Sequence, residues 1–170
     1  MGSTIKTGTK APNFTLYSLN EKPYSLESLR GKTVVLNFWS AECPWSARAD
    51  ETLKNMADEW GSEVIVLTIA PNANESKDLI QQSAQNRAIS PILVDPNQQV
   101  ARLFGAQITP QVYVIDPQGH LRYQGAFDDA SFRNPEPTCN YLWEAVEAIL
   151  AGENPIPAER PAYGCTIVFN

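Results

Sequence analysis

Apolar residues in this chain come in short runs, and the rhythm within and between the runs alternates. Phe14-Thr15-Leu16 and Lys22-Pro23-Tyr24-Ser25-Leu26 flank an Asn20-Glu21 turn and predict two short edge strands. Ser25 to Leu29 predicts one helical turn ending at Gly31. Val34-Val35-Leu36-Asn37-Phe38-Trp39 is continuous, short and β-branched at its start, the profile of a strand buried on both faces. From Pro44 to Trp60 the period changes to that of a helix, with Ala47, Leu53, Met56 and Trp60 along one side and Gly61 as the stop. Glu63 to Ile69 predicts a second buried strand, and Glu75 to Arg87 a polar helix. Ile92-Leu93-Val94 predicts a short strand, followed by an Asp95-Pro96-Asn97 turn and a helix from Gln98 to Phe104 closed by Gly105.

The second half changes rhythm. Gln111 to Asp116 and Leu121 to Gly125 predict an antiparallel pair across Pro117-Gln118-Gly119-His120, with His120 in a solvated turn. Ala126 to Pro137 is polar and irregular. Asn140 to Leu150 predicts an amphipathic helix with Leu142, Ala145, Val146, Ile149 and Leu150 on one side, ended by Gly152. Pro155, Pro157 and Pro161 then impose an extended path, and Cys165 to Phe169 predicts a last strand. Strand-helix-strand units followed by a hairpin and a helix imply an α/β fold, a mixed sheet with helices on both faces. The 170 residues fit one domain, with a core over about 8–152 and a C-terminal extension over 153–170.

Charge narrows the partners. The chain carries a net charge of −6 with only 13 scattered Lys and Arg, so no basic stripe exists to neutralise phosphates or an anionic membrane. The longest apolar run, Thr33 to Trp39, is too short to span a bilayer. The N-terminus, Met1-Gly2-Ser3-Thr4-Ile5-Lys6, lacks the apolar stretch of a secretory signal. It fits a cytoplasmic protein, or an extracytoplasmic one whose signal has been removed.

The chemistry rests on three cysteines, Cys43, Cys139 and Cys165, an odd number that cannot pair completely within one chain. Their separations give no zinc pattern, and no metal or other cofactor is expected. Only the thiolate of cysteine is a strong nucleophile, so the question is what would ionise each sulfur. Cys43 follows a buried strand and precedes Pro44, a residue favoured at the first position of a helix. That puts its sulfur at a helix N-terminus, where unpaired N–H groups and the helix dipole favour an anion. The adjacent Glu42 opposes this by like-charge repulsion. The plainer alternative is a buried, inert thiol.

Three stretches weigh on that choice. Ala11-Pro12-Asn13-Phe14-Thr15-Leu16 and then Leu29 to Pro44, ending in Asn37-Phe38-Trp39-Ser40-Ala41-Glu42-Cys43-Pro44, resemble the AhpC/TSA redoxin and TlpA/ResA-like branch of the thioredoxin superfamily. Ile108-Thr109-Pro110, continuing through Ile115-Asp116 to Gly119, resembles the same branch's Thr-Pro segment. The resemblance implies a thioredoxin-like three-layer sandwich with a mixed central sheet, and activity as a thiol-disulfide oxidoreductase or isomerase through Cys43. It also implies that Pro110 is the family's cis-proline, beside a backbone edge at Thr109 that pairs with an incoming peptide. Trp39 falls on the family's active-site tryptophan. Trp45 is expected at the surface as an aromatic docking contact. The implied partners are protein or small-molecule thiols and disulfides, with no nucleic acid and no membrane span.

This chain departs from the usual Cys-x-x-Cys motif, because Cys43-Pro44-Trp45-Ser46 ends in serine. Ser46 can donate a hydrogen bond to a thiolate but cannot form a disulfide. One subgroup of redoxin-domain proteins lacks the second cysteine and ends in a Gly-Cys-[Ser/Thr]-Ile-Lys segment. Gly164-Cys165-Thr166-Ile167 resembles that ending, with Val168 in place of lysine. On this resemblance Cys165 is either the resolving thiol for Cys43 or a core residue of the last strand. Cys139 is expected to be a bystander, with a bridge to Cys165 as the alternative. Two other functions compete: a non-catalytic module that binds a partner in the same groove, and a thiol peroxidase. For the latter, Ser40 matches the Pro-x-x-x-[Thr/Ser]-x-x-Cys pattern, while Leu36 replaces its proline.

Overall fold

The computed structural model describes residues 5–170, so the Met1–Thr4 part of the N-terminal segment lies outside the described residues. Its centre is the strand that the apolar run predicts. This strand, β3 (Thr33–Phe38), has all six residues buried. Val34, Leu36 and Phe38 enter one core cluster and Val35 another, the alternation that sends successive side chains to opposite faces of a sheet.

The other strands are β1 (Thr15–Ser18), β2 (Pro23–Ser25), β4 (Val64–Ala70), β5 (Ile92–Val94), β7 (Gln111–Ile115), β8 (Leu121–Gly125) and β9 (Glu159–Arg160). With β3 they form an eight-stranded sheet in the order β2-β1-β5-β4-β3-β7-β8-β9. β3, β4 and β5 run parallel, β7 and β1 pair antiparallel on either side of them, and β7 and β8 form the expected hairpin. A separate pair joins β6 (Ile108–Thr109) to β10 (Cys165–Thr166).

Helices α1 (Pro44–Trp60) and α4 (Tyr141–Leu150) cover the face of Val35, Val112 and Val114. Helix α3 (Gln99–Phe104) covers the other face through Val100, Ala101 and Phe104. Helix α2 (Lys77–Arg87) packs Ile80 and Ala84 beside Trp39, Ala70 and Ile92. The result is a mixed sheet with helices on both sides, a thioredoxin-like sandwich as expected. No helix among the described residues is long and apolar enough to cross a membrane.

Several local expectations change. Helix α1 spans the predicted residues, but Ala47 faces solvent while the polar Ser46 and Asp50 are buried. A hydrophobic count cannot find a buried face built partly of hydrogen-bonded polar groups. Leu150 is 39% exposed, at the end of α4 and past its contact with the sheet. Helix α2 starts later than predicted, because the Ser76 hydroxyl caps it by accepting from Leu79 N–H and leaves Glu75 outside. The last predicted strand is only Cys165–Thr166.

Strand β9 has no apolar signature, being set by its parallel pairing with β8. Gly125 (φ +126°) makes that approach possible, since a Cβ there would lie 1.7 Å from the Arg160 carbonyl oxygen.

Candidate active site

Strand β3 delivers Trp39 to Cys43 at its carboxyl end, and α1 begins immediately after. Cys43 is the N-cap residue of α1, with extended backbone, and Pro44 is the first helical residue. No side chain caps this helix, so its first N–H groups face the cysteine without a side-chain acceptor. Cys43 is only 2% exposed. Its Sγ lies 3.3 Å from the carbonyl oxygen of Thr109, and the peptide bond that follows, Thr109–Pro110, is cis as the resemblance implied.

The tail completes the site. Strand β10 pairs antiparallel with β6, Cys165 opposite Thr109 and Thr166 opposite Ile108. Cys165 is disulfide-bonded to Cys43, with Cα atoms 6.0 Å apart and a sequence separation of 122. Of the two readings of Cys165, the core-packing one gives way to the bridge. The alternative Cys139–Cys165 bridge is corrected with it, since Cys139 is exposed and free.

Gly164 is needed for this docking. A Cβ there would stand 2.0 Å from the Thr109 oxygen and 3.2 Å from Pro110 Cδ. Beyond Cys165, Ile167 is 3% exposed in the core and its N–H donates to Gln107 O at 2.8 Å. Before it, the Tyr163 ring packs edge-on against Trp45 at 5.1 Å, and the Tyr163 hydroxyl accepts from Phe132 N–H at 2.9 Å. The edge expected to receive a partner strand is therefore occupied by the chain's own tail.

Other site residues differ from expectation in detail. Ser46 is 1% exposed, and its hydroxyl oxygen accepts from Ser40 N–H at 3.3 Å, so the hydrogen bond seen ties the loop to α1 and does not run to sulfur. Trp39, which the resemblance sets at the family's active-site tryptophan, is completely buried. It acts from behind the loop: its Nε1 donates to Asp50 at 3.1 Å, and the Arg87 guanidinium lies 4.9 Å from its ring centre. Trp45 is half-buried under Tyr163, not free at the surface.

Three residues here escaped the sequence reading. Glu75 receives Ser40 Oγ at 2.5 Å, Ala41 N–H at 3.0 Å and Glu42 N–H at 3.2 Å. Arg87 pairs with Asp50 at 3.0 Å and donates to the carbonyls of Ser40 and Ala41. Together they clamp the loop between β3 and Cys43 from both its N–H and C=O sides. The signal available in sequence was weak. Asp50 sits on the apolar side of α1, and a charge placed there needs a partner.

Burial raises the pKa of Asp50 above its ordinary value, partly offset by the hydrogen bonds from Trp39 and Arg87 and by the Arg87 charge. A carboxyl whose pKa is higher folded than unfolded binds protons preferentially in the folded state between the two values. Its favourable contribution is therefore full below the unfolded pKa and fades as pH rises through the folded one. Wild type should accordingly lose stability relative to Asp50→Asn as pH rises from about 4 toward neutrality. Urea unfolding of both proteins across that range checks this, and a difference independent of pH would contradict it.

The family model for the AhpC/TSA family matches residues 7–124. The chain belongs to the AhpC/TSA family. Within the wider thioredoxin-like superfamily, it is 29% identical over 119 residues to the thiol-disulfide oxidoreductase ResA of Bacillus subtilis (strain 168), covering 69% of this chain and 66% of that protein. To ResA of Halalkalibacterium halodurans it is 30% identical over 120 residues, covering 70% and 68%. The chain thus spans about two thirds of the length of these curated relatives. A crystal structure of a hypothetical protein from Sinorhizobium meliloti 1021 superposes with a TM-score of 0.88 at 27% identity, over 99% of this chain and 97% of that one. That match includes the tail, which lies outside the segment of the AhpC/TSA family model.

Proposed function

We propose that this AhpC/TSA-family protein is a thiol-disulfide oxidoreductase whose working pair is Cys43 and Cys165. The observation that carries the reading is the docking of Cys165 against Thr109 with its sulfur bonded to Cys43. The ResA relatives, named as thiol-disulfide oxidoreductases, support it. In the reducing direction the Cys43 thiolate attacks a partner disulfide, forming a Cys43–partner bond and releasing the partner's other sulfur as a thiolate. The Cys165 thiolate then attacks Cys43 Sγ, forming the internal disulfide and releasing the second partner thiolate. Two electrons pass from the protein to the partner, and each released thiolate takes a proton from solvent. Every step is exchange between thiolate and disulfide, so the sequence also runs backwards.

The groups around the pair have matching roles in this reading. The start of α1 stabilises the Cys43 thiolate. Ser46 fixes the loop through Ser40, while Thr109 and Pro110 present the edge on which a sulfur-bearing strand lies. Trp45 borders that edge.

Fully reduced protein carrying Cys139→Ser, which removes the exposed third thiol, freed of reductant and mixed with oxidised glutathione or insulin, should lose both of its thiols to the internal disulfide. The rate should collapse in Cys43→Ser. Loss of thiols at the same rate in Cys43→Ser would overturn the reading. Faster oxidation by hydrogen peroxide than by any disulfide would favour the peroxidase alternative instead.

A further inference from the structure

The tail is held beyond Cys165 as well as at it. Val168 is bonded in both directions to the loop between β4 and α2. Its N–H donates to Asn72 Oδ1 at 2.8 Å, and its carbonyl oxygen accepts from Ala73 N–H at 2.9 Å. The other end of the Asn72 amide, Nδ2, donates to Glu75 Oε2 at 3.3 Å. That same carboxylate takes Ser40 Oγ and the N–H groups of Ala41 and Glu42. One side chain therefore touches both the segment that carries Cys165 and the carboxylate that clamps the loop leading into Cys43.

Asparagine suits this place for a chemical reason. A backbone N–H needs an acceptor and a carboxylate needs a donor, and the planar amide supplies one of each. Both contacts demand the same orientation of the amide. Aspartate would keep the acceptor, lose the donor and set a second negative charge against Glu75. The tail's other anchors lie elsewhere: Ile167 packs in the core, and Asn170 bonds to Gln98 and Arg102 at α3.

We propose that Asn72 is a positioning residue for the resolving step, holding the Cys165 segment in register with the loop that presents Cys43. The inference rests on the Cys43–Cys165 redox pair proposed above and adds a residue that acts on one of its two steps. In that step the Cys165 thiolate attacks Cys43 Sγ and the Cys43–Cys165 bond forms. The bond from Cys43 to the partner sulfur breaks, and the partner leaves with the electron pair as a thiolate. The two protein sulfurs are separated by 122 positions of sequence, so the rate depends on how well their segments are aligned. Asn72 aligns them through Val168 on one side and Glu75 on the other. The first step, attack of Cys43 on the partner disulfide, does not use the tail and so does not call on the Asn72–Val168 contact.

The test uses the full chain carrying Cys139→Ser, reduced and mixed with one equivalent of Ellman's reagent. Samples quenched in acid and mapped by mass follow the thionitrobenzoate adduct on Cys43. Its appearance measures the first step, and its conversion to the internal disulfide measures the second. Asn72→Ala should slow the conversion about fivefold, the worth of a lost hydrogen bond, and leave the appearance within about twofold. Asn72→Asp, which keeps the acceptor for Val168 but not the donor to Glu75, should convert as slowly as Asn72→Ala. Conversion unchanged in Asn72→Ala, an equal loss in both steps, or Asn72→Asp converting at the parent rate would overturn the positioning role and leave the redox pair intact. A parent protein that forms no Cys43 adduct, or never converts it to the internal disulfide, would overturn the pair and the inference with it.

Discussion

Cys165→Ser should turn the protein into a trap. Reduced Cys165→Ser protein exposed to a disulfide-bonded partner should retain one partner sulfur per chain, bonded to Cys43 and visible as a mass shift or a reductant-sensitive band. Release of that adduct should slow by roughly a hundredfold or more. A thiol positioned beside its target acts at an effective concentration far above that of millimolar free thiol. The seating of Cys165 against Thr109 is what confers that advantage, since Gly164 lets the two backbones meet and Ile167 holds the tail down. Release as fast as in wild type would mean that free thiols resolve Cys43 and that the tail is not part of the cycle.

Arg87→Ala should cost about 3–5 kcal/mol of folding stability. The Asp50 side chain is 5% exposed and its ion-pair partner is Arg87 at 3.0 Å, so the substitution leaves a buried carboxylate with the Trp39 indole N–H and the more distant Lys54 charge to compensate it. The same change removes the donors to the carbonyls of Ser40 and Ala41 and the cation above Trp39. Against a typical net stability of about 5–15 kcal/mol the loss is large. Urea unfolding of the oxidised protein measures it. A loss below about 1 kcal/mol would mean that the pair behaves as a solvent-exposed one. Asp50→Asn combined with Arg87→Ala should recover part of the loss, because the uncompensated charge is gone.

What the sequence made legible follows from which forces are local. Helix α1 was readable to its ends because Pro44 and Gly61 are local signals and Leu53, Met56 and Trp60 keep a helical period. Strand β3 was readable because burial on both faces leaves an unbroken apolar run. Cys43 and Pro110 were readable from their motifs. The clamp of Glu75, Asp50 and Arg87 was not, because its members are scattered over three segments and meet only in the folded chain. Strand β9 was unreadable for a related reason: two polar residues become a strand only because Gly125 lets them approach β8. Ser46 and Trp39 lie near Cys43 in sequence, but their partners are Ser40, Asp50 and Arg87, since sequence gives position along an element and not which groups lie behind it.

The long span of the disulfide has a consequence for the chain as a whole. Cys43 and Cys165 are 122 residues apart, so the bond closes most of the molecule into a ring. Closing a loop of that size removes conformational freedom from the unfolded chain worth about 5 kcal/mol in the simple chain-entropy model. Each catalytic cycle would therefore open and close a ring around most of the fold. The protein should melt at a lower temperature when it carries electrons than when it has given them up, so that a thermal shift alone would report its redox state.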